Sequence, residues 1–285
     1  MKAIVVCAFA LVALVGTPGR AVAQFSTLDR QSTSPTEVGA DFDYLFVNHD
    51  PGQHPGTSGF RFDLFGQFVD PHSGFGAYLS LALTHTSFAV DMPPFVIRGS
   101  GTGIGDLELG GIYVIPSRRA DTSFVLHAGL TLPTSPSQTD NAAASQLGGF
   151  AHITDIAQTL PHGTSLRLGF SPIWHRGTLV ARLDIGLDLD ATIADGRTTL
   201  PPALRLNGGL GYASSVFALM GELTNVFITG NQNDGGNTTL NEAAVSARFF
   251  LGQGMSLAVA IVLPLEDDTK QLDAALRFGF TAQLR

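Results

Sequence analysis

The strongest constraint on this chain is an alternation of apolar and polar residues that runs far longer than a globular strand needs. Leu179, Ala181, Leu183, Ile185, Leu187, Leu189 and Ala191 fall on one face; Val180, Arg182, Asp184, Gly186, Asp188, Asp190 and Thr192 fall on the other. A strand repeats every two residues, whereas a helix would scatter the same apolar set around its circumference. The pattern recurs. Val38, Ala40, Phe42, Tyr44 and Phe46 alternate with Glu37, Gly39, Asp41, Asp43 and Leu45; Phe60, Phe62, Leu64 and Phe68 alternate with Arg61, Asp63, Phe65 and Gln67. It returns from Phe124 to Leu132, from Leu166 to Ser171 and from Leu272 to Thr281. Soluble strands commonly run about 5–6 residues. Here a strand of about ten residues, tilted by about 45°, covers the apolar height of an outer membrane.

Charged residues are 14% of the chain, against roughly 25% in soluble domains. A chain that faces lipid must satisfy its backbone polar groups internally, and only helices and closed barrels do so. No stretch after the first two dozen residues is long and apolar enough for a spanning helix. The expected fold is therefore a closed antiparallel transmembrane β-barrel in a bacterial outer membrane, with lipid as its surrounding partner.

Lys2, the apolar run Ala3 to Val15 and the small-x-small triplet Ala21-Val22-Ala23 read as a cleaved secretory signal. Residues 1–23 are the expected signal, 24–35 a short periplasmic segment and 36–285 the barrel. The single cysteine, Cys7, lies in the signal, so the mature chain has no disulfide, cysteine nucleophile or thiolate metal site. Removing Lys2 and Arg20 from the 16 basic residues leaves 14 against 24 acidic ones, which argues against nucleic-acid binding.

Asp70–Ser73, Leu160–Gly163, Ser214–Ser215 and Gly252–Gly254 read as short turns. His49–Thr57, Ala89–Gly103, Pro133–Ser145 and Gly230–Thr238 read as long loops. Short periplasmic turns alternating with longer external loops are the grammar of such barrels. About thirteen candidate strands can be marked, but a single-chain bacterial barrel has an even number. The conflict sits at Trp174–Gly177, a tight link where a long loop is due. We expect about twelve strands, with fourteen as the alternative.

Gly103-Ile104-Gly105-Asp106-Leu107, followed by Leu109-Gly110 and Tyr113, resembles the strand start of outer-membrane proteins of the "MetA-pathway of phenol degradation" type. Leu132-Pro133-Thr134 resembles that family's strand-end step, although Ser135 stands where the family usually has glycine. The resemblance implies a transporter- or porin-type barrel associated with aromatic compounds; it brings no catalytic residues. On the residues themselves, Gly103 and Gly105 permit a tight turn, and Asp106 and Glu108 share the lumen face.

The other lumen candidates are Asp41, Asp43, Asp63, Asp184, Asp188, Glu222 and Asp273 among the acids, and Arg61, Arg167, Arg182, Arg205, Arg248 and Arg277 among the bases. They read either as a charged constriction that selects solutes or as a salt-bridge network filling a small barrel. Phe65 is the candidate for an aromatic-lined path. Phe42, Tyr44, Phe46, Tyr113, Trp174, Tyr212, Phe278 and Phe280 suit interfacial girdles. The eight histidines include no helical pair of the zinc-protease kind, and Gly169–Ile173 lacks the last glycine of a serine-hydrolase elbow. We therefore assign no catalytic, cofactor or metal residues.

The expected function is an outer-membrane channel for small, apolar or aromatic solutes. The alternatives are a filled scaffold or surface-loop binding barrel and, lower in rank, an outer-membrane lipase or protease. The terminal alternating strand implies the outer-membrane assembly machinery as a partner, although the chain ends Gln283-Leu284-Arg285 rather than in an aromatic. Oligomeric state is left open.

Overall fold

A computed structural model of the chain describes residues 31–33, 36–46, 58–92, 95–116, 121–135, 144, 147–159, 163–190, 202–230, 238–252, 254–265 and 272–284. The expected signal at 1–23, most of the expected periplasmic segment 24–35 and His49 and His54 lie outside the described residues. No helix among them is long and apolar enough to cross a membrane.

Thirteen strands form one antiparallel sheet: β1 (Thr36–Phe46), β2 (Ser58–Val69), β3 (Phe75–Met92), β4 (Phe95–Ile104), β5 (Leu107–Pro116), β6 (Thr122–Leu132), β7 (Ser165–Arg176), β8 (Leu179–Asp190), β9 (Ala203–Ala213), β10 (Phe217–Ile228), β11 (Thr238–Gly252), β12 (Met255–Pro264) and β13 (Ala274–Gln283). β1 pairs with both β2 and β13, with Phe42 opposite Phe62 on one side and Phe278 on the other, so the sheet closes. Closure gives every strand except β4 a ladder on both edges, whereas β4 pairs with β3 alone; a closed sheet satisfies its backbone groups within the wall. The thirteen strands make twelve staves. β3 pairs with β4 from Leu83 to Met92 and with β5 from Phe75 to Ser80, so β4 and β5 are one stave broken at Gly105–Asp106.

The alternation assigns the faces as expected. Phe42, Phe60, Leu64, Leu168, Leu183, Ile185, Leu206 and Phe278 are exposed on the outer surface; Asp43, Arg61, Asp63, Arg167, Asp184 and Arg277 are buried within. A twelve-residue strand tilted by about 45° spans roughly 28 Å, enough for the apolar band. Phe75 stacks on Tyr113 with centroids 4.2 Å apart at the short-turn end, and Tyr44 meets Phe46 edge-on at 4.9 Å at the other. These pairs lie where the aromatic girdles belong.

Three connections differ from expectation. The link after Arg176 lies at the short-turn end, where a tight turn belongs, and Gly177 takes φ 63° to make it. The surplus candidate strand is instead the stretch before Leu160. Residues 147–159 cross no wall; they fold inward as helical turns, including Ile153–Asp155 and Ile156–Thr159. The expected turn at Leu160–Gly163 lies, except for Gly163, outside the described residues, within the connection between β6 and β7. The spacing of Leu147, Phe150, Ile153 and Ile156 is three, which belongs to a helix. Ala89–Met92 and Phe95–Gly103 are strand rather than loop: the alternating glycines Gly99, Gly101 and Gly103 give a loop-like composition, but the backbone is paired between β3 and β4. The last strand begins at Ala274, leaving Asp273 exposed and outside the lumen set, with its N–H donating to Phe46 O at 2.7 Å.

Candidate functional site

The lumen is the candidate site. Strand parity brings most of the expected residues into it. Asp43, Arg61, Asp63, Phe65, Asp106, Glu108, Arg167, Arg182, Asp184, Asp188, Arg205, Glu222, Arg248 and Arg277 are all buried, and Asp41 is half-buried with its carboxylate against Gly279. Among the described residues, ten buried carboxylates face six buried arginines.

The charges are organised in pairs. Arg277 Nε donates to Asp43 Oδ1 at 2.6 Å and its Nη2 to Asp43 Oδ2 at 3.0 Å. Arg61 grips Asp63 in the same forked way. Arg182 donates to Asp184 at 2.7 Å, while Asp188 lies between Arg167 and Arg205 at 3.2 and 3.1 Å. Arg167 also meets Glu108 at 2.5 Å, and Glu108 accepts the Tyr78 hydroxyl at 2.8 Å. Nearer the short-turn end, Glu222 accepts from Ser246, and Arg248 donates to Ser256 and Thr281. Fixed charges in a low-dielectric interior hold each other strongly, and the fork geometry of arginine fits paired carboxylate oxygens.

The inward segment binds this wall. Arg61 donates to Gly148 O at 2.8 Å, Arg277 to Ala151 O at 3.0 Å and Arg167 to Thr154 O. Asp155 on the segment lies 3.3 Å from Arg61 and 3.4 Å from Arg167. Gln158 donates to Ser80. Apolar clusters complete the seat: Ala151 belongs to one with Leu45, Ala244, Val262, Leu272 and Ala275, and Ile153 to another with Ala203, Val226 and Leu240. Polar contacts to β2, β3, β7 and β13, with apolar clusters that include residues of β1, β9, β10, β11 and β12, seat the segment within the loop-side part of the bore. Beneath it a small recess is lined by Phe65, Gln67, Tyr78, Ser80, Glu108 and Arg167. Toward the short-turn mouth, Ser32 N–H donates to Gln67 Oε1 at 3.0 Å, and Gln67 Nε2 donates back to Ser32 O at 3.2 Å.

Sequence reasoning missed Asp155, Glu37 and Glu242. Glu37 and Glu242 are buried, and parity with Asp41 and Arg248 on their own strands would have placed them in the lumen. Asp155 was visible only through the helical spacing of its segment.

No family model matches the chain, and no curated protein matches it. Solved structures do. An outer membrane channel from Pseudomonas putida F1 aligns at a TM-score of 0.65 and 12% identity, covering 92% of this chain and 99% of that one. A KdgM porin aligns at 0.51 and 10%, covering 87% and 99%. The transport unit of the autotransporter AIDA-I from Escherichia coli aligns at 0.50 and 9%, covering 92% and 93%. The fold is that of outer-membrane β-barrels.

Proposed function

We propose that this protein is an outer-membrane channel whose bore is constricted by the inward segment 147–159. The observation that carries the reading is the wall itself. A barrel that only needed filling could use apolar side chains, which often cost less than buried ion pairs. This one lines its bore with charge in which carboxylates outnumber arginines. Such a lining gives a conducting state that prefers cations. Phe65 and Tyr78 in the recess support passage of small aromatic solutes, in keeping with the resemblance at Gly103–Tyr113.

The test is single-channel conductance of refolded protein in a planar bilayer, with a variant in which residues 147–159 are replaced by a short glycine–serine link. Discrete cation-preferring steps, larger in the variant, are expected. Silence from both proteins, each shown to be folded by heat-modifiable migration, would refute the channel. A second reading, a filled scaffold barrel, is favoured by the apolar packing of Ala151 and Ile153 against the wall; silence from both would select it.

A further inference from the structure

The break between β4 and β5 is where the wall grips both ends of the connection that carries the inward segment. Asp106 is fully buried there. Its Oδ1 accepts the Ser135 N–H at 2.8 Å and its Oδ2 accepts the Gly163 N–H at 2.8 Å. One carboxylate therefore ties together two residues 28 positions apart in sequence. The Asp106 N–H itself donates to Gln158 O at 2.7 Å, next to the end of the segment. Its neighbours share the task. Leu107 N–H donates to Thr134 Oγ1 at 2.9 Å, and Gly105 N–H donates to Ala82 O at 2.8 Å, which anchors the break to β3. A Cβ on Gly105 would stand 2.9 Å from Gln158 O, so glycine is what allows the segment to lie this close. Resting on the channel reading above, we propose that Asp106 is the positioning residue that latches the inward segment, holding both stems of its loop so that residues 147–159 enter the bore.

The chemistry requires a carboxylate. Two amide donors converge on two acceptor oxygens, and an asparagine offers only one acceptor with an NH₂ group beside it. Losing either stem releases one end of the loop. The arginine contacts to Gly148, Ala151 and Thr154 then hold a segment whose direction of approach is no longer fixed.

The test uses the full-length chain with Ala151→Cys, a small change at a fully buried site on the segment. Cys7, the only native cysteine, is replaced by serine in every protein compared. Labelling by a membrane-impermeant maleimide is compared with Asp106 intact and with Asp106→Asn. Labelling at least about tenfold faster in Asp106→Asn is expected, the scale of losing one hydrogen bond to a charged group. Ser135→Pro, which removes the Ser135 amide and hydroxyl donors to Asp106 without altering a barrel strand, should do the same and covers the case in which Asp106→Asn fails to fold. Oxidation of an added Ser80→Cys/Gln158→Cys pair should restore slow labelling until it is reduced. Unchanged labelling in folded Asp106→Asn and Ser135→Pro overturns the latch. If the segment-deleted protein conducts while both latch variants label slowly, the latch fails and the channel stands. If labelling rises but no variant conducts, the latch stands as a structural device and the channel fails.

Discussion

Replacing Arg277 by leucine tests whether the loop-side lumen is closed to water. Arg277 and Asp43 face each other across the seam that closes the barrel, within 2.6 and 3.0 Å, and both are buried. Arg277→Leu leaves the Asp43 carboxylate beside Arg61 alone, and Arg61 is already committed to Asp63 and Asp155. An uncompensated buried charge of this kind costs about 3–5 kcal/mol. Asp43→Leu strands the guanidinium and should cost a similar amount. The double variant removes both charges; since apolar replacement of a buried pair is often neutral or stabilising, it should recover most of the loss, apart from the Arg277 bond to Ala151 O, about 1 kcal/mol. Equilibrium urea unfolding in lipid vesicles, run as a double-mutant cycle, measures all three. Single losses below about 1 kcal/mol that simply add are the signature of a solvated pair. That result would refute the closed, dry seat described for the inward segment.

Two further measurements follow from the faces and turns. Ile185 is the seventh of the twelve residues of β8 and is exposed on the outer surface. Ile185→Arg should lower barrel stability by about 2–4 kcal/mol in the same unfolding assay, and a silent Ile185→Arg would mean a register wrong by one residue; Asp184→Ala strands the buried Arg182 guanidinium and should cost about 3–5 kcal/mol as well as alter ion selectivity. At the short-turn end, Asp70 accepts the Ser73 hydroxyl at 2.6 Å and the Ser73 and His72 amides, which together lower its carboxyl to about 2. A depressed pKa contributes turn stability above the unfolded value of about 3.9, and that contribution is lost as pH falls through about 2. Ser73→Ala should raise the Asp70 midpoint in a carboxyl NMR titration; an unmoved midpoint would show that the hydroxyl is not its main cause.

How far the sequence could be read depends on the range of the interaction that decides each feature. Along β8 the alternation from Leu179 to Asp190 assigns every side chain to lipid or lumen, because inward and outward orientation is a local property of a pleated strand. The charged lumen set follows from the same parity, and the one misplaced member, Asp273, lies a residue before its strand begins. The run from Leu147 to Thr159 was harder. Its spacing of three is visible, yet nothing local says whether a helical turn outside the wall folds over the mouth or into the bore. The glycines of Gly99–Gly103 misled for a related reason: glycine is common in loops, and only pairing with β3 shows this stretch to be strand.

The sequence by itself therefore determined that this chain is a barrel, which residues face lipid and that the interior is charged. Each is a consequence of a two-residue period in a chain that must hide its backbone from lipid. The tertiary structure alone decided the rest. It joined β1 to β13 and set Asp43 against Arg277, 234 residues away. It merged β4 and β5 into the twelfth stave and gave Asp155 to two arginines on different strands. It placed the amides of Ser135 and Gly163 on one carboxylate. These choices depend on which distant groups meet when the sheet closes, and ion pairs and hydrogen bonds act only over the few ångströms that closure brings about.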